Sequence, residues 1–335
     1  MRFSLFGRDV GIDIGTVNTL IARRDSGIVL RESTAVALDR EKRLVAVGEE
    51  AYHMLGRTPG DVRVMHPLQD GVVVDFQLCE AMLRHFLLQA AGHPAGRFGA
   101  RAVLCVPGCV TKVEKRALED AARNAGARAA FMLDEPVAAA LGAGLPVEEP
   151  LGTLVVDIGG GTTDAAVIAL GGIVVKRSIR AGGTHIDAAI MQHVRRTYGI
   201  VIGARTAELI KIGMGSALPA GFGSMQVRGR DMGTGLPCTL NVSAMEVYRA
   251  IQPQVRAILG CVREVLSLTP PELAGDIYER GMWLTGGGAL LNGVADLFAS
   301  VTGISTYIAE RPLDCVAEGA RRAVENIAFY RERAV

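Results

Sequence analysis

Two apolar runs that each lead through an aspartate into a glycine turn stand out in the hydrophobic pattern of the chain. The first is VGIDIGTVNTLIA at 10–22, and the second is LVVDIGGGTTDAAVIA at 154–169. Both have the order apolar strand, Asp, Ile, Gly, small polar residues and second apolar strand, and they are offset by 144 positions (157 − 13 and 159 − 15). Repetition of one unit half a chain apart predicts two strand–turn–strand hairpins in two related lobes.

Helical patterns follow each hairpin and alternate with further strands. Apolar residues at helical spacing follow Asp75, which is a suitable N-cap, and Thr111 and Glu114 have the spacing of a capping box. Pro136 is expected at the first position of a helix, and Gly171-Gly172 is typical of a two-residue hairpin loop. The segment 283–298 reads as strand, glycine turn and helix. This alternation predicts an α/β fold.

Composition is that of a globular protein with an aliphatic core. The chain has 335 residues, of which 49% are hydrophobic and 5% aromatic, with 41 glycines. A formal net charge of +1 creates no overall field for nucleic acid, so no nucleic-acid partner is expected. The six cysteines lack CxxC spacing and are interpreted as buried thiols in a reducing cytosol.

No segment is typical of a secretion signal or a membrane span. The start, MRFSLFGRD, lacks a long apolar region and a cleavage site. The longest apolar run, AAVIALGGIVV, is too short to cross a bilayer. A soluble or monotopic protein is therefore expected.

The glycine turns are candidates for phosphate binding. Consecutive glycines let backbone N–H groups converge on an anion without an obstructing side chain. The chain has no GxxxxGK[ST] motif, and Asp164 stands where a dinucleotide fingerprint at 159–164 would need its last glycine. The arrangement that remains is a pair of hairpins that hold phosphates from two sides. For either turn alone, an ordinary tight hairpin is the alternative.

The aspartate before each turn is a candidate metal ligand. Asp13 and Asp157, on opposed lobes, suit a magnesium ion held through its waters, because this ion gives up its hydration reluctantly. A lone aspartate at a strand end is more often a turn cap. It is the pairing that favours the metal.

The residues of these turns resemble those of the actin, Hsp70 and sugar-kinase superfamily, and within it the chain resembles the MreB family of bacterial actin homologues, with its Mbl paralogues. The resemblance runs through GIDIGTVNTLI, VGEEA, GRTPG, DGVVVDF, DEPVAAALGAGLPVEEP, VVDIGGGTTD, IGARTAELIKI, TPPEL and LTGGGALLNGV. It implies an actin-like (ribonuclease H-like) fold of two duplicated lobes, each with a larger and a smaller subdomain. The first lobe would be 1–145, with a small subdomain at about 31–75, and the second 146–335, with one at about 183–255.

The resemblance also assigns site residues. Glu135 would polarise the water that attacks the γ-phosphate, with Thr162 and Asp164 in the same catalytic set, although a simple helix start explains Glu135 as well. Asp13 and Asp157 would hold the metal. The nucleotide would lie against Gly15, Thr16, Val17 and Asn18 in the first turn, Gly159, Gly160, Gly161 and Thr162 in the second, Glu208 and Lys211 at the ribose and adenine, and Gly286, Gly287, Gly288, Ala289, Leu290 and Leu291 on the far side.

Some of these positions allow another interpretation or depart from the family pattern. Glu208 and Lys211 lie three apart on one predicted helix face and would by themselves indicate a surface ion pair. Val17 replaces the usual alanine of the first turn. Thr184 and His185 stand where relatives tend to have acidic or polar residues.

The function that the resemblance implies is that of a filament-forming cytoskeletal protein that organises cell-wall synthesis and rod shape. Its cofactors would be ATP and Mg²⁺, and its activity a weak ATPase coupled to polymerisation. Its partners would be further copies of itself, in double protofilaments, and cell-wall elongation proteins of the MreC, MreD and RodZ type. The protein would be cytoplasmic and peripheral at the inner face of the membrane.

Two short segments are candidates for membrane contact. Phe3, Leu5 and Phe6 are flanked by arginines, and Phe98 also lies between two arginines. Apolar side chains with basic neighbours are typical of interfacial binding. Each segment would bind weakly, and many subunits in one filament would bind firmly. An ordinary terminus and an ordinary loop are the alternative.

Three other functions are compatible with the superfamily. A sugar or carboxylate kinase would need a second-substrate pocket and would form ADP only when an acceptor is present. A chaperone ATPase would need a peptide-binding domain, for which a chain of 335 residues that ends soon after its last predicted helix would leave no room. A plasmid-segregating or organelle-aligning actin homologue would differ in its partners.

Overall fold

The computed structural model describes residues 9–91, 100–219, 221 and 223–333. The first half contains strands β1 (Val10–Ile14), β2 (Asn18–Arg23), β3 (Gly27–Ser33), β4 (Val36–Leu38), β5 (Leu44–Val47), β6 (Arg63–Met65), β7 (Leu68–Gln69), β8 (Val72–Val73), β9 (Arg101–Val106) and β10 (Ala129–Asp134). The second half contains β11 (Thr153–Ile158), β12 (Thr163–Ala169), β13 (Gly172–Ile179), β14 (Ile200–Val201), β15 (Ser224–Asp231), β16 (Pro237–Ser243), β17 (Met282–Thr285) and β18 (Thr306–Ile308).

The helices connect and cover these strands. They are α1 (Glu49–His53), α2 (Phe76–Ala91), α3 (Lys112–Asn124), α4 (Glu135–Gly142), α5 (Gly183–Tyr198), α6 (Ala204–Met214), α7 (Ala244–Leu268), α8 (Pro271–Arg280), α9 (Val294–Thr302), α10 (Cys315–Ala323) and α11 (Ile327–Arg333). Two short 3-10 turns occur at Gly287–Leu290 and Val324–Asn326.

Two five-stranded sheets with the same topology form the centre of the molecule. The first has the order β3-β2-β1-β9-β10 and the second the order β13-β12-β11-β17-β18. In the first, β1, β2 and β3 pair antiparallel, and β9 and β10 join in parallel. The second repeats this pattern with β11, β12 and β13 antiparallel and β17 and β18 parallel. The predicted α/β fold with two duplicated lobes is confirmed.

Each half of the chain also contributes a small sheet. The order β5-β4-β6 belongs to the first half, where α1 packs against it, and β14-β15-β16 belongs to the second, where α6 packs against β15. A short hairpin of β7 and β8 lies between the first small sheet and α2. Each large sheet is thus accompanied by one small sheet from the same half of the chain.

Local sequence explains the starts of two helices, α2 and α3. The side chain of Asp75 accepts a hydrogen bond from the N–H of Leu78 at 3.1 Å, and Thr111 with Glu114 forms the predicted capping box at the start of α3. Two boundaries differ by one residue from the prediction. Helix α4 begins at Glu135, so that Pro136 is its second residue.

The other shifted boundary is the hairpin loop between β12 and β13. Ala169 pairs with Gly172, so the loop is Leu170-Gly171 rather than Gly171-Gly172. Both loop residues have positive φ, 53° and 73°, as a two-residue loop of this twist requires. Leu170 adopts a positive φ, which leucine disfavours, because the pairing register along β12 outweighs the backbone preference of this one residue.

Helices α4 and α10 cross between the two large sheets at very short range. After β18 the chain returns to the first lobe, where α10 packs on α4 and on β1. A Cβ on Gly142 would overlap the backbone carbonyl of Cys315, and one on Gly319 would overlap that of Ala138. The crossing therefore depends on glycine at both positions.

The segments expected to contact membrane cannot be compared with the fold. Phe3, Leu5, Phe6 and Phe98 lie outside the residues that the structure describes. Within the ranges it does describe, no helix is both long enough and apolar enough to cross a bilayer.

Candidate functional site

The two predicted glycine turns connect β1 to β2 and β11 to β12, and they meet. Gly15 and Gly159 each donate a backbone hydrogen bond of 2.9 Å to the carbonyl three residues further along. A Cβ on Gly160 would lie 2.5 Å from Cγ2 of Val17, so the two turns are in van der Waals contact. A side chain at Gly160 would push the turns apart.

The start of α5 holds the second turn from behind. The N–H groups of Gly183 and Thr184 donate to the carbonyls of Gly159 and Gly160 at 3.0 and 2.8 Å, and the Thr184 hydroxyl donates to Gly160 O at 3.0 Å. In the described part of the chain, the N–H of Gly160 and of Gly161 has no protein acceptor. With its carbonyls engaged on one side, the turn can offer these N–H groups to an anion. Thr184, a departure from the family pattern, thus supports the turn.

The hairpin of β7 and β8 covers the first turn. The sequence analysis did not predict this contact. The N–H of Gly71 donates to the hydroxyl of Thr16 at 3.1 Å. A Cβ on Gly161 would come within 3 Å of both Thr16 and Asp70. Nε2 of His185 lies 3.8 Å from Oδ1 of Asp70, which places His185 at the rim of this cluster.

Asp13 and Asp157 stand at equivalent ends of β1 and β11. Burial and the charge of Asp157 raise the pKa of Asp13 to about 8. Burial raises the pKa of Asp157 to about 6, and its Oδ1 accepts a hydrogen bond of 2.8 Å from the Thr285 hydroxyl. Two desolvated carboxylates that repel each other are a donor set that a divalent cation would stabilise.

The side chains that the structure describes do not form a closed metal cage. Across the described residues, no cluster of three or more His, Cys, Asp or Glu side chains is arranged to hold a metal ion. If a divalent cation binds at Asp13 and Asp157, these two side chains would leave most of its coordination to water or to oxygens of a ligand.

Two further buried carboxylates face the same centre. Burial, followed by the charges of Asp164 and Asp13, raises the pKa of Glu135 well above its usual value. Burial raises the pKa of Asp164 to about 7. The Gly108 N–H donates a hydrogen bond of 2.6 Å to Oδ1 of Asp164, which lowers the pKa but does not offset the effect of burial. Because Gly108 belongs to the first lobe and Asp164 to β12, this contact joins the two lobes directly beside Glu135.

Glu208 and Lys211 are not paired with each other. Nζ of Lys211 contacts Oδ2 of Asp187 at 2.9 Å and the carbonyl of Gly183 at 3.3 Å. Glu208 instead accepts a hydrogen bond from the Tyr52 hydroxyl at 2.6 Å. The surface ion pair that the spacing alone suggests is therefore absent from this helix face. Lys211 supports the start of α5 and, through it, the second turn.

The third glycine segment lies against the end of β11. Gly286 has φ 76° and Gly286 N–H donates to Pro312 O at 2.9 Å. A Cβ on Gly286 or on Gly288 would overlap Ile158. The segment continues as the 3-10 turn, in which Ala289 is buried, and α9 begins only at Val294. The predicted order of strand, glycine turn and helix is present, with the 3-10 turn between the glycines and the helix.

The protein without ligands is expected to lose stability as the pH rises from about 5 to about 8. The four carboxylates Asp13, Glu135, Asp157 and Asp164 have raised pKa values in the fold. The folded protein therefore binds more protons than the unfolded chain across this window, and the free energy of unfolding falls as they leave, by about 2 kcal/mol or more. Urea unfolding at both pH values in EDTA measures it.

Asp157→Asn is the comparison for that measurement, since it removes one of the four titrations and should flatten the pH dependence. A free energy of unfolding that rises between pH 5 and pH 8 would show that these carboxylates ionise without cost in the fold.

The chain is similar to known proteins over nearly its whole length. The family described as MreB/Mbl protein matches residues 7–332. The chain is 47% identical over 332 residues to the cell shape-determining protein MreB of Escherichia coli strain K12, covering 97% of this chain and 96% of that protein. It is 45% identical over 326 residues to the cell shape-determining protein Mbl of Bacillus subtilis strain 168, covering 96% and 97%.

Solved structures are similar over the same length. MreB5 of Spiroplasma citri bound to ADP matches with a TM-score of 0.90 and 37% identity, covering 98% of this chain and 99% of that one. A MamK double helical filament, at 22% identity and a TM-score of 0.78, shares the fold. With a family match over nearly its whole length and relatives well above 30% identity, this chain belongs to the MreB/Mbl family of actin-like proteins.

Proposed function

We propose that this chain is an ATP-binding, filament-forming cytoskeletal protein that acts in the determination of cell shape. The observation that carries the proposal is the meeting of two equivalent glycine turns, one from each duplicated sheet, each preceded by an aspartate at the end of its strand. The MreB and Mbl relatives are named as cell shape-determining proteins, and structures of MreB5 are bound to ADP and to AMPPNP. The motifs of this chain therefore support the same role.

The nucleotide is proposed to lie in the cleft with its phosphates between the two turns. Gly15 to Asn18 and Gly159 to Thr162 would bind the phosphates through backbone N–H groups, with Gly286 to Leu291 on the far side. Glu208 and Lys211 would lie at the nucleoside. A cleft built from two lobes lets one ligand influence how the lobes are held together.

Hydrolysis is proposed as a weak ATPase activity that uses Glu135. A magnesium ion near Asp13 and Asp157 would supply positive charge against the phosphates. Glu135, buried at the start of α4, would orient the attacking water, and Thr162 and Asp164 would complete its surroundings. The Gly108 contact of Asp164 links this centre to the arrangement of the lobes.

The division into lobes is proposed as 1–145 and 146–335, with small subdomains at about 31–75 and 183–255. Both small sheets fall inside these ranges. Helix α10 belongs to the second range by sequence and packs on the first lobe, where it crosses α4.

Polymerisation would bring copies of the chain together in double protofilaments at the inner face of the membrane. Phe3, Leu5, Phe6 and Phe98 are the proposed membrane contacts, on the strength of their basic neighbours in the sequence. Proteins of cell-wall elongation, of the MreC, MreD and RodZ type, are the proposed partners.

Sedimentation with ATP and magnesium tests the proposal. The protein should pellet with ATP and stay in the supernatant with EDTA and no nucleotide, and electron microscopy of the pellet should show straight protofilaments. When liposomes are added to the same samples, the wild-type protein should pellet with them. Replacement of Phe3, Phe6 and Phe98 by serine should abolish this co-pelleting.

Two outcomes would contradict the proposal. Failure to pellet at any nucleotide concentration would remove the filament role. ADP formation that requires a sugar or carboxylate acceptor would instead identify a kinase.

A further inference from the structure

A hydrogen bond crosses the cleft between the helices of the two small sheets. Tyr52 on α1 donates its hydroxyl proton to Oε2 of Glu208 on α6 at 2.6 Å, although the two residues are 156 positions apart. The ring of Tyr52 packs against a cluster of four buried alanines under the first small sheet, Ala35, Ala37, Ala46 and Ala51. A half-buried tyrosine on one lobe therefore reaches a carboxylate on the other.

This bond engages only half of the carboxylate. Oε1 of Glu208 has no hydrogen-bond partner among the residues that the structure describes. Lys211, one turn further along α6, is committed to Asp187 and to Gly183 O. Arg205, one turn earlier on α6, forms no ion pair with Glu208 in the part of the chain that the structure describes. Burial and the bond to Glu208 raise the pKa of Tyr52, so its hydroxyl keeps the proton that it donates. One carboxylate oxygen is thus fixed and the other is open.

We infer that Tyr52 is a positioning residue for the nucleoside: by holding Oε2 of Glu208, it orients Oε1 to accept a hydrogen bond from a ribose hydroxyl. The inference rests on the proposed binding of a nucleotide in this cleft. A glutamate side chain with no such anchor rotates freely, and it would lose that freedom on contact with the ligand. Tyr52 removes part of this loss before the ligand arrives.

The pair of ligands ADP and 2′,3′-dideoxy-ADP tests this assignment on the full-length protein. Isothermal titration calorimetry should show that Tyr52→Phe weakens ADP binding about tenfold, the scale of one hydrogen bond to a charged group. The dideoxy analogue offers no hydroxyl to Glu208, so its affinity should change less than about threefold. ADP avoids any contribution from hydrolysis.

Tyr198→Phe is the matched control. The Tyr198 hydroxyl donates to Glu246 at 2.5 Å within the second lobe, which is the same chemistry away from α1. This variant should bind both ligands as the wild type does. In a Glu208→Ala background, Tyr52→Phe should have no further effect on ADP affinity, because the group that it positions has gone.

Equal weakening of ADP and the dideoxy analogue, or no weakening of either, would overturn the role of Tyr52 while leaving the proposed function intact. If the wild type binds neither ligand, the proposed function itself fails.

Discussion

Replacing Glu135 by glutamine is expected to reduce steady-state ATP hydrolysis about 100-fold or more, because a positioned carboxylate that activates water contributes at least that factor. Glutamine has the same size and can still accept a hydrogen bond, but it cannot take a proton. Nucleotide affinity should change little. Phosphate release from ATP at saturating concentration is the measurement.

The same substitution should leave the fold intact. Glu135 is buried, and burial with the nearby carboxylates raises its pKa, so an amide, which never ionises, avoids the cost of a charge at this position. The melting temperature without ligand should therefore be equal or higher. Glu272→Gln is the matched control, since this exposed glutamate also lies beside a proline in the first turn of a helix. If Glu135→Gln hydrolysed ATP at the wild-type rate, another residue would have to orient the attacking water.

Gly319→Ala is expected to lower the free energy of unfolding by about 3 kcal/mol or more, although it adds only one methyl group. The added Cβ would overlap the backbone carbonyl of Ala138 at the crossing of α10 with α4. Backbone at both sides of the contact leaves no flexible side chain to move. Urea unfolding measures the loss.

Gly260→Ala separates this effect from the ordinary preference of helices for alanine. Gly260 lies in α7 with open space around its Cβ position. Alanine there should stabilise the protein by about 0.5–1 kcal/mol. If Gly319→Ala were as stable as the wild type, the two helices would have to be further apart than the structure shows.

Features that depend on residues close together in the sequence were predictable. The strand–turn–strand repeat follows from apolar alternation around Asp13 and Asp157, and the capping box follows from the spacing of Thr111 and Glu114. The shift of the hairpin loop to Leu170 was not predictable in this way. Pairing between two strands decided it, and pairing involves both strands together.

Contacts between the two small sheets could not be predicted from any pattern in the sequence. The sequence motif placed Glu208 and Lys211 on one helix face, yet their partners are Tyr52 and Asp187, each from a distant element. No periodicity marks Tyr52, because its neighbours form only a five-residue helix.

The duplicated α/β architecture, the location of the glycine turns and the identity of the aspartates before them could all be established from the amino-acid pattern. They follow from local backbone preferences and from the burial of apolar runs. The contact between the two turns, the contact of Asp164 with Gly108 and the hydrogen bond from Tyr52 to Glu208 became visible in the folded protein. Such contacts join residues far apart in the chain, and their geometry is set by how two lobes and two small sheets pack, which no single segment encodes.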